Sequence, residues 1–572
     1  MKSEYFLKNN YESAKREMYQ QLPTLACFEN RSLFGLPFKD VNLFAIVILC
    51  ILSGHFFYRI HSPNRRAIFS CLLSLSCVWL AAEGETYKAI WVTLFGLFQT
   101  SWVYAIKSTK CFRSLSLISL FTMTSALRYW LDEWLNAQLS LVLMMQLLKL
   151  VGAAFDIADC MDGLTEDIPL SNSTKRDSSK SNRMICYDCK FTASATSSMQ
   201  RKRLFDQLPP QQQQNQTTTP STFIQPKLCK QVCPESLWML FAYAFCHCGL
   251  VLGPFFRYRV FLDWLNMDLC WAEQNQVRDQ AYKQFLAKVK LFPLLFLLML
   301  VNQQMSPLHG LVISSQKKNT TSPVDVEQSI VETILEKNVY SLILNAFLAF
   351  YFYRARLYLG FMLGEFVCMA CGLGMYPVQC ASLPAHGPQF EYNPASPNSN
   401  DSKFGYNSAQ QSTFSNVALE DSKGPVYQKL DHSLTAIDFR SIVTCEGLQA
   451  EWTGSIRKSL RNWNLPTQYW LARHVYRPLR GYPNWLRLYT TLSISALWHG
   501  VYSGYFLSFF VLPLIFWLER PWSQYVSKVH KDSAPVFVAF WVFKILLLSY
   551  FGVPFYLLRW APSILYWNSV YW

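Results

Sequence analysis

Charge is scarce in this sequence. Asp, Glu, Lys and Arg make up 16% of 572 residues, where about 25% is usual for soluble domains. That scarcity argues against the several soluble domains a chain of this length would otherwise form. No leader is visible, because the first forty residues are polar and of mixed charge and the first apolar run starts near Val41. No internal repeat is present, which argues against a solenoid. A disulfide framework is missing too, although there are 17 Cys. Cys50, Cys71, Cys77, Cys246, Cys248, Cys368 and Cys371 lie inside apolar runs and read as small buried hydrophobes. Acidic residues are outnumbered, 37 against 52 Lys and Arg, for a net charge of +15. The basic residues sit mostly between apolar runs, which suits anionic headgroups and a phosphate-bearing co-substrate, and no nucleic-acid partner is expected.

What is abundant is apolar surface. Hydrophobic residues reach 51%, with 19 Trp, 30 Tyr and 42 Phe. Trp and Tyr gather at membrane–water interfaces because their rings are amphipathic. Runs close to the roughly 17–25 residues of a spanning helix cover Val41–Phe57, Ala67–Ala82, Ala89–Ile106, Leu115–Leu127 and Leu139–Phe155. Later ones cover Leu237–Phe256, Leu291–Val301, Val339–Tyr353, Leu357–Met375, Leu488–Phe509 and Val536–Leu558. The fold expected is all-α, a polytopic integral membrane protein with about ten to eleven membrane-embedded helices. A Gly253-Pro254 break inside the sixth run is compatible with a broken or re-entrant helix.

The organisation follows from these runs. Residues 1–40 read as a polar extension, 41–170 as N-terminal transmembrane helices and 171–235 as a polar low-complexity loop. Residues 236–376 read as central transmembrane helices, 377–450 as a polar loop and 451–572 as the C-terminal helices that carry the chemistry. The loops around Ser171–Pro226 and Ser382–Ser422 cannot bury enough apolar surface to offset the entropy of ordering. Basic loops (Arg59, Arg65, Arg66; Lys107, Lys110, Arg113) alternate with mixed ones, which places loops one and three in the cytosol.

The stretch Thr490–Trp517 contains one ionisable side chain before Glu519, His499. A lone ionisable group in a membrane run is costly and points to function, although a histidine hydrogen-bonded between helices is an equal reading. Gly500 and Gly504 permit close approach of backbone or ligand, or serve helix packing. Upstream, Arg457–Arg477 mixes five Arg or Lys with Trp463, Tyr469, Trp470 and Tyr476 and reads as an amphipathic interfacial helix pair. Asn464 precedes Leu465-Pro466 and so has the position of a helix N-cap. Glu365 lies within an apolar run, where Arg354 or Arg356 are its expected partners unless it lines an acceptor cavity. Lys149 is expected to snorkel. Cys186-x-x-Cys189 and Cys229-x-x-x-Cys233 have the spacing type of a zinc site, but a long low-complexity segment separates them, and no metal is expected.

Trp498-His499-Gly500-x-x-x-Gly504-Tyr505, preceded by Trp463-Asn464, resembles the membrane-bound O-acyltransferase family. The upstream Gly253-Pro-Phe-Phe-Arg-Tyr-Arg-Val-Phe-Leu-Asp-Trp264 and Trp463–Leu471 resemble its lysophosphatidylinositol acyltransferase branch. The resemblance implies a helical multipass fold with a tunnel through the membrane and an endoplasmic reticulum location. It implies His499 and Asn464 as the catalytic pair. No cofactor is bound; acyl-CoA is co-substrate and a lysophospholipid the acceptor. Trp463, Trp498, Gly500, Glu365, Arg473 and Arg477 are the candidate substrate-binding residues. Two other acceptors remain open, a different lysophospholipid headgroup or a secreted protein. The rival of another class is a transporter in which His499 relays protons.

Overall fold

A computed structural model describes residues 36–166, 232–266, 275–294, 338–389 and 437–571, together with 32–33 and 296–297. Residues 61, 110, 132–134 and 530–533 within those ranges are not described. The extension before Ser32, most of both long loops, and residues 295 and 298–301 of the Leu291–Val301 run therefore lie outside the described residues, as do Cys186, Cys189 and Cys229. Nearly all described residues belong to one compact unit made of 1–163, 230–389 and 435–572. A second unit takes 164–229 and 390–434, and only the end of one helix is described within it.

The described unit is almost wholly helical. Four helices lead: α1 (Phe38–Phe57), α2 (Pro63–Ala81), α3 (Thr86–Ile106) and α4 (Phe112–Trp130). Each expected run in this region became one helix, because nothing polar interrupts the apolar residues long enough to break it. α1 packs on α2 and α2 on α3. Their outer faces show Leu52, Phe56, Leu72, Trp91 and Phe98 to the surroundings, the exposed apolar surface expected of a membrane-facing bundle.

The fifth helix, α5 (Ala137–Glu166), is apolar all round for most of its length. Such a helix belongs inside. Within its most apolar 18 residues 94% are buried, against 39% for the corresponding stretch of Thr86–Ile106 and 22% for that of Pro535–Leu557. Among the described residues these three helices are long and apolar enough to cross a membrane by length and composition, and Val41–Gly54 is a shorter apolar helix. Lys149 does not snorkel: it is 0% exposed and donates Nζ to the carbonyls of Cys246 and Cys248.

Four apolar runs did not each become one separate helix. The Leu237–Phe256 run is broken: α6 (Leu237–Ala244) stops after two turns, non-helical backbone follows, and α7 (Tyr258–Leu265) begins after it. The Val339–Tyr353 and Leu357–Met375 runs are one 32-residue helix, α9 (Val339–Ala370). Arg354 does not end that helix because Glu451 neutralises it in place. The Leu488–Phe509 run is two helices, α13 (Asn484–His499) and α14 (Ser503–Val529). α15 (Ala534–Leu557) and α16 (Trp560–Tyr571) close the chain. α8 (Asn275–Val289) gave no apolar signal, since its residues are mostly polar. The 377–450 segment is not loop throughout: β3 (Tyr376–Pro377) pairs antiparallel with β4 (Ile437–Asp438), which bridges its two ends. The short β1 (Ser32–Leu33) and β2 (Leu36–Pro37) pair before α1.

Candidate functional site

The Arg457–Arg477 stretch forms a helix pair, as its pattern indicated, with Arg457, Lys458 and Arg461 exposed and Trp470, Arg473 and His474 buried. α10 (Gly447–Glu451) leads into α11 (Ile456–Arg461), α12 (Leu465–Leu471) and a π-turn at Ala472–Tyr476. The α11 N-terminus is held by Glu519 of α14, whose carboxylate accepts from Ile456 N at 2.7 Å and Arg457 N at 3.1 Å. An anion there offsets the helix dipole. Trp470 is 0% exposed, with Nε1 donating to Leu148 O at 2.9 Å.

Arg473 is likewise inside. Its guanidinium donates to Asp156 Oδ1 at 2.9 Å and Asp159 Oδ2 at 2.7 Å. Arg257 shares Asp156 at 2.8 Å, and Arg113 bridges Asp159 and Asp162, each at 2.6 Å. The sequence offered no way to see this network, because the three aspartates lie on one face of α5 and their partners come from α4, the start of α7 and the π-turn. Arg473 therefore spends its charge on carboxylates. Arg477, at the C-terminal cap of the π-turn, is half-buried.

Asn464 is the N-cap of α12. Its backbone is left-handed (φ 44°), and its Oδ1 accepts from Thr467 N at 3.4 Å. Capping takes the carbonyl end of the amide and leaves Nδ2 as a donor. Trp463 stands edge-on to Tyr358 at 4.9 Å and Phe361 at 5.3 Å, both on α9. The neighbouring Cys445 donates to Asn462 O at 3.0 Å, and burial pushes its thiol up to about 12. It stays protonated and is a poor nucleophile.

His499 is the last residue of α13 and is half-buried among rings. Phe509 stacks on it at 5.5 Å, while Phe555, Tyr505 and Trp498 lie at 4.9, 5.6 and 4.8 Å. Among the described residues neither ring nitrogen has a hydrogen-bond partner. Trp498 is pinned by Nε1 donating to Met144 O at 3.1 Å. Gly500 ends the helix at φ 156°, where an added Cβ would come within 3.1 Å of the Tyr505 ring. Gly504 is a packing position: a Cβ there would stand 2.1 Å from Pro554 O on α15. Sequence reasoning missed Arg128, which donates to the carbonyls of Trp498 and His499 at 2.8 and 2.6 Å.

His499 and Asn464 are linked through α9 rather than by direct contact. Phe555 joins His499 to Tyr353 at 6.1 Å, and Tyr358 joins Trp463. The two tyrosines are five positions apart along the helix, about 7.5 Å of rise. Glu365, further along α9, is paired with Lys288 and accepts from Thr444 N at 2.6 Å. Its partners are thus not Arg354 or Arg356, since the turn of α9 that carries Glu365 faces α8. A cavity of about 250 Å³ lined by Tyr104, Lys107, Ile157 and Met161 lies elsewhere and includes none of the candidate residues.

The membrane-bound O-acyltransferase family matches residues 185–558. The membrane-bound acylglycerophosphatidylinositol O-acyltransferase mboat7 of Danio rerio is 26% identical over 340 residues, 59% of this chain and 60% of that protein. MBOAT7 of Homo sapiens is 27% identical over 345 residues, with the same coverage. The similarly named mboa-7 of Caenorhabditis elegans is 25% identical over 280 residues, 49% of this chain and 48% of that protein. The chain thus spans about 60% of the length of the first of these relatives.

Proposed function

Because the chain belongs to the membrane-bound O-acyltransferase family, we propose that it moves an acyl chain from acyl-CoA to the sn-2 hydroxyl of a lysophospholipid. The favoured acceptor is lysophosphatidylinositol and the favoured donor a polyunsaturated acyl-CoA, in phospholipid remodelling at the endoplasmic reticulum membrane. The acylglycerophosphatidylinositol names of the relatives support that acceptor. The protein on this reading is multipass, with about ten to eleven embedded helices.

The observation that carries the proposal is the imidazole of His499, half-buried in an aromatic setting with no hydrogen-bond partner among the described residues. A histidine kept for structure would have its ring nitrogen hydrogen-bonded within the protein, as His474 does through Nδ1 and the carbonyl of Trp470 one turn earlier at 2.9 Å. His499 instead keeps a lone pair for an acceptor hydroxyl. It removes the hydroxyl proton as the oxygen attacks the thioester carbonyl carbon. The Asn464 Nδ2 donor serves the oxyanion or orients the acceptor. Collapse expels the CoA thiolate, which takes the proton from the imidazolium. The thioester is already activated, so direct transfer needs neither a metal nor an acyl-enzyme.

The test is a panel of lysophospholipid headgroups with one acyl-CoA, using purified protein in detergent or liposomes. Esterification of lysophosphatidylinositol well above the other headgroups is the expected result. Preference for another headgroup would move the acceptor and leave the chemistry. No acyl-CoA consumption with any lysolipid would turn the reading toward a protein acceptor or a transporter.

A further inference from the structure

The cysteines that the sequence scattered among apolar runs are gathered by the fold around one imidazole. Cys246, His247 and Cys248 occupy the non-helical turn after α6, with exposures of 0%, 3% and 0%. A ring nitrogen of His247 and the two thiols lie within 4.8 Å of one another. His247 Nε2 is 3.4 Å from Cys248 Sγ and 3.4 Å from Cys371 Sγ. Cys371 caps the far end of α9 and is itself 0% exposed. Its carbonyl accepts from Trp264 Nε1 at 2.8 Å, which fixes the residue's position. The thiols of Cys50 and Cys77 stand 3.5 Å apart beside this group.

Buried thiols alone are ordinary small hydrophobes. Three observations go beyond that. First, in a tetrahedral zinc site with Zn–N of about 2.0 Å and Zn–S of about 2.3 Å, ligand N and S atoms stand about 3.5 Å apart. His247 Nε2 meets that spacing with two different thiols. Second, His247 Nδ1 is 2.8 Å from Ser70 Oγ. This is the kind of outer hydrogen bond that orients a ligating imidazole and presents its other nitrogen. Third, Lys149 is fully buried with its Nζ on the carbonyls of Cys246 and Cys248 at 3.1 and 3.2 Å. Its further neighbours are the Tyr243 and Phe256 rings, and no carboxylate reaches it among the described residues. A buried ammonium needs a counter-charge. Three thiolates and one imidazole on Zn²⁺ carry a net single negative charge, which Lys149 balances.

We propose that Cys246, His247, Cys248 and Cys371 hold a structural zinc ion that ties the broken segment after α6 to the end of α9. Binding replaces the three thiol protons, which pass to water. All four positions are filled by protein, so the ion has no open site for substrate. None of the four residues is among the described contacts of His499, and the proposal stands or falls independently of the acyl-transfer reading.

The experiment measures zinc by mass spectrometry in the full-length protein, purified in detergent without chelator. About one zinc per chain is expected. Cys371→Ser and His247→Asn are expected to lose it ~10-fold or more, while Cys380→Ser, at a buried thiol elsewhere in the fold, keeps it. If the ligand variants do not fold, cobalt exchange into the wild type decides. A thiolate-to-cobalt charge-transfer band with intense tetrahedral d–d absorption supports the site. Zinc below ~0.1 per chain that added zinc does not raise, with no thiolate–cobalt band, overturns it. So does full zinc content in both ligand variants.

Discussion

Arg128 NH2 donates to the backbone carbonyl of His499 at 2.6 Å, while NH1 takes Trp498 O at 2.8 Å. The guanidinium of α4 therefore closes the open end of the helix that presents the candidate base. The last carbonyls of a helix lack partners within it, and a cation there also suits the dipole. Arg128 thus holds the backbone that carries His499. Arg128→Ala is expected to lower kcat by ~10- to 100-fold with little change in the KM for acyl-CoA. Arg128→Lys, which keeps one donor, should recover part of the loss. Equal activity in wild type and Arg128→Ala would remove the positioning role.

His499→Ala is expected to reduce acyl transfer by ~100- to 10,000-fold, the usual contribution of a general base. The ring has no hydrogen-bond partner to lose among the described residues, so insertion and thermal stability should change little. Turnover in the variant within a few-fold of wild type would rule out His499 as the base.

Asn464 combines a cap with a proposed donor, and the two roles separate by substitution. Asn464→Asp keeps an acceptor for Thr467 N and loses the Nδ2 donor. Asn464→Gly keeps the left-handed backbone and loses both. Activity should fall ~100-fold or more in each, while Asn464→Asp melts close to wild type. Asn464→Ala should lose about 1–2 kcal/mol of stability besides, from the missing cap and an alanine forced to φ 44°. Full activity in Asn464→Asp would confine the residue to capping.

Arg473 tests the ion network against the phosphate-binding expectation. Removing it leaves Asp156, whose side chain is 2% exposed, with Arg257 alone. The expected loss is about 3–5 kcal/mol, the cost of breaking a buried pair. Thermal melting should fall sharply, with the KM for acyl-CoA unchanged in whatever folds. A raised KM at unchanged melting temperature would return Arg473 to the substrate.

Much of the fold was legible because the membrane and the helix impose simple rules. Uninterrupted apolar runs of the right length became α1 to α5 and α15. The Asn464 cap was readable from its place before Leu465-Pro466, since left-handed capping geometry suits Asn. The breaks were harder to read. Nothing in Leu237–Phe256 marks Ala244 as a helix end, and Arg354 resembles a helix terminus until Glu451 is placed beside it.

The sequence by itself determined a helical chain rich in apolar runs, a lone histidine within one of them, and a cap three residues before Thr467. Those features depend on neighbours along the chain, whose spacing is set by covalent geometry. Tertiary structure alone decided that Arg473 faces Asp156 and Asp159, that Arg128 holds the His499 helix end, and that Cys371 meets His247. Each of these pairs joins residues more than a hundred positions apart. Their meeting depends on how helices pack, and helix periodicity carries no record of which faces will meet.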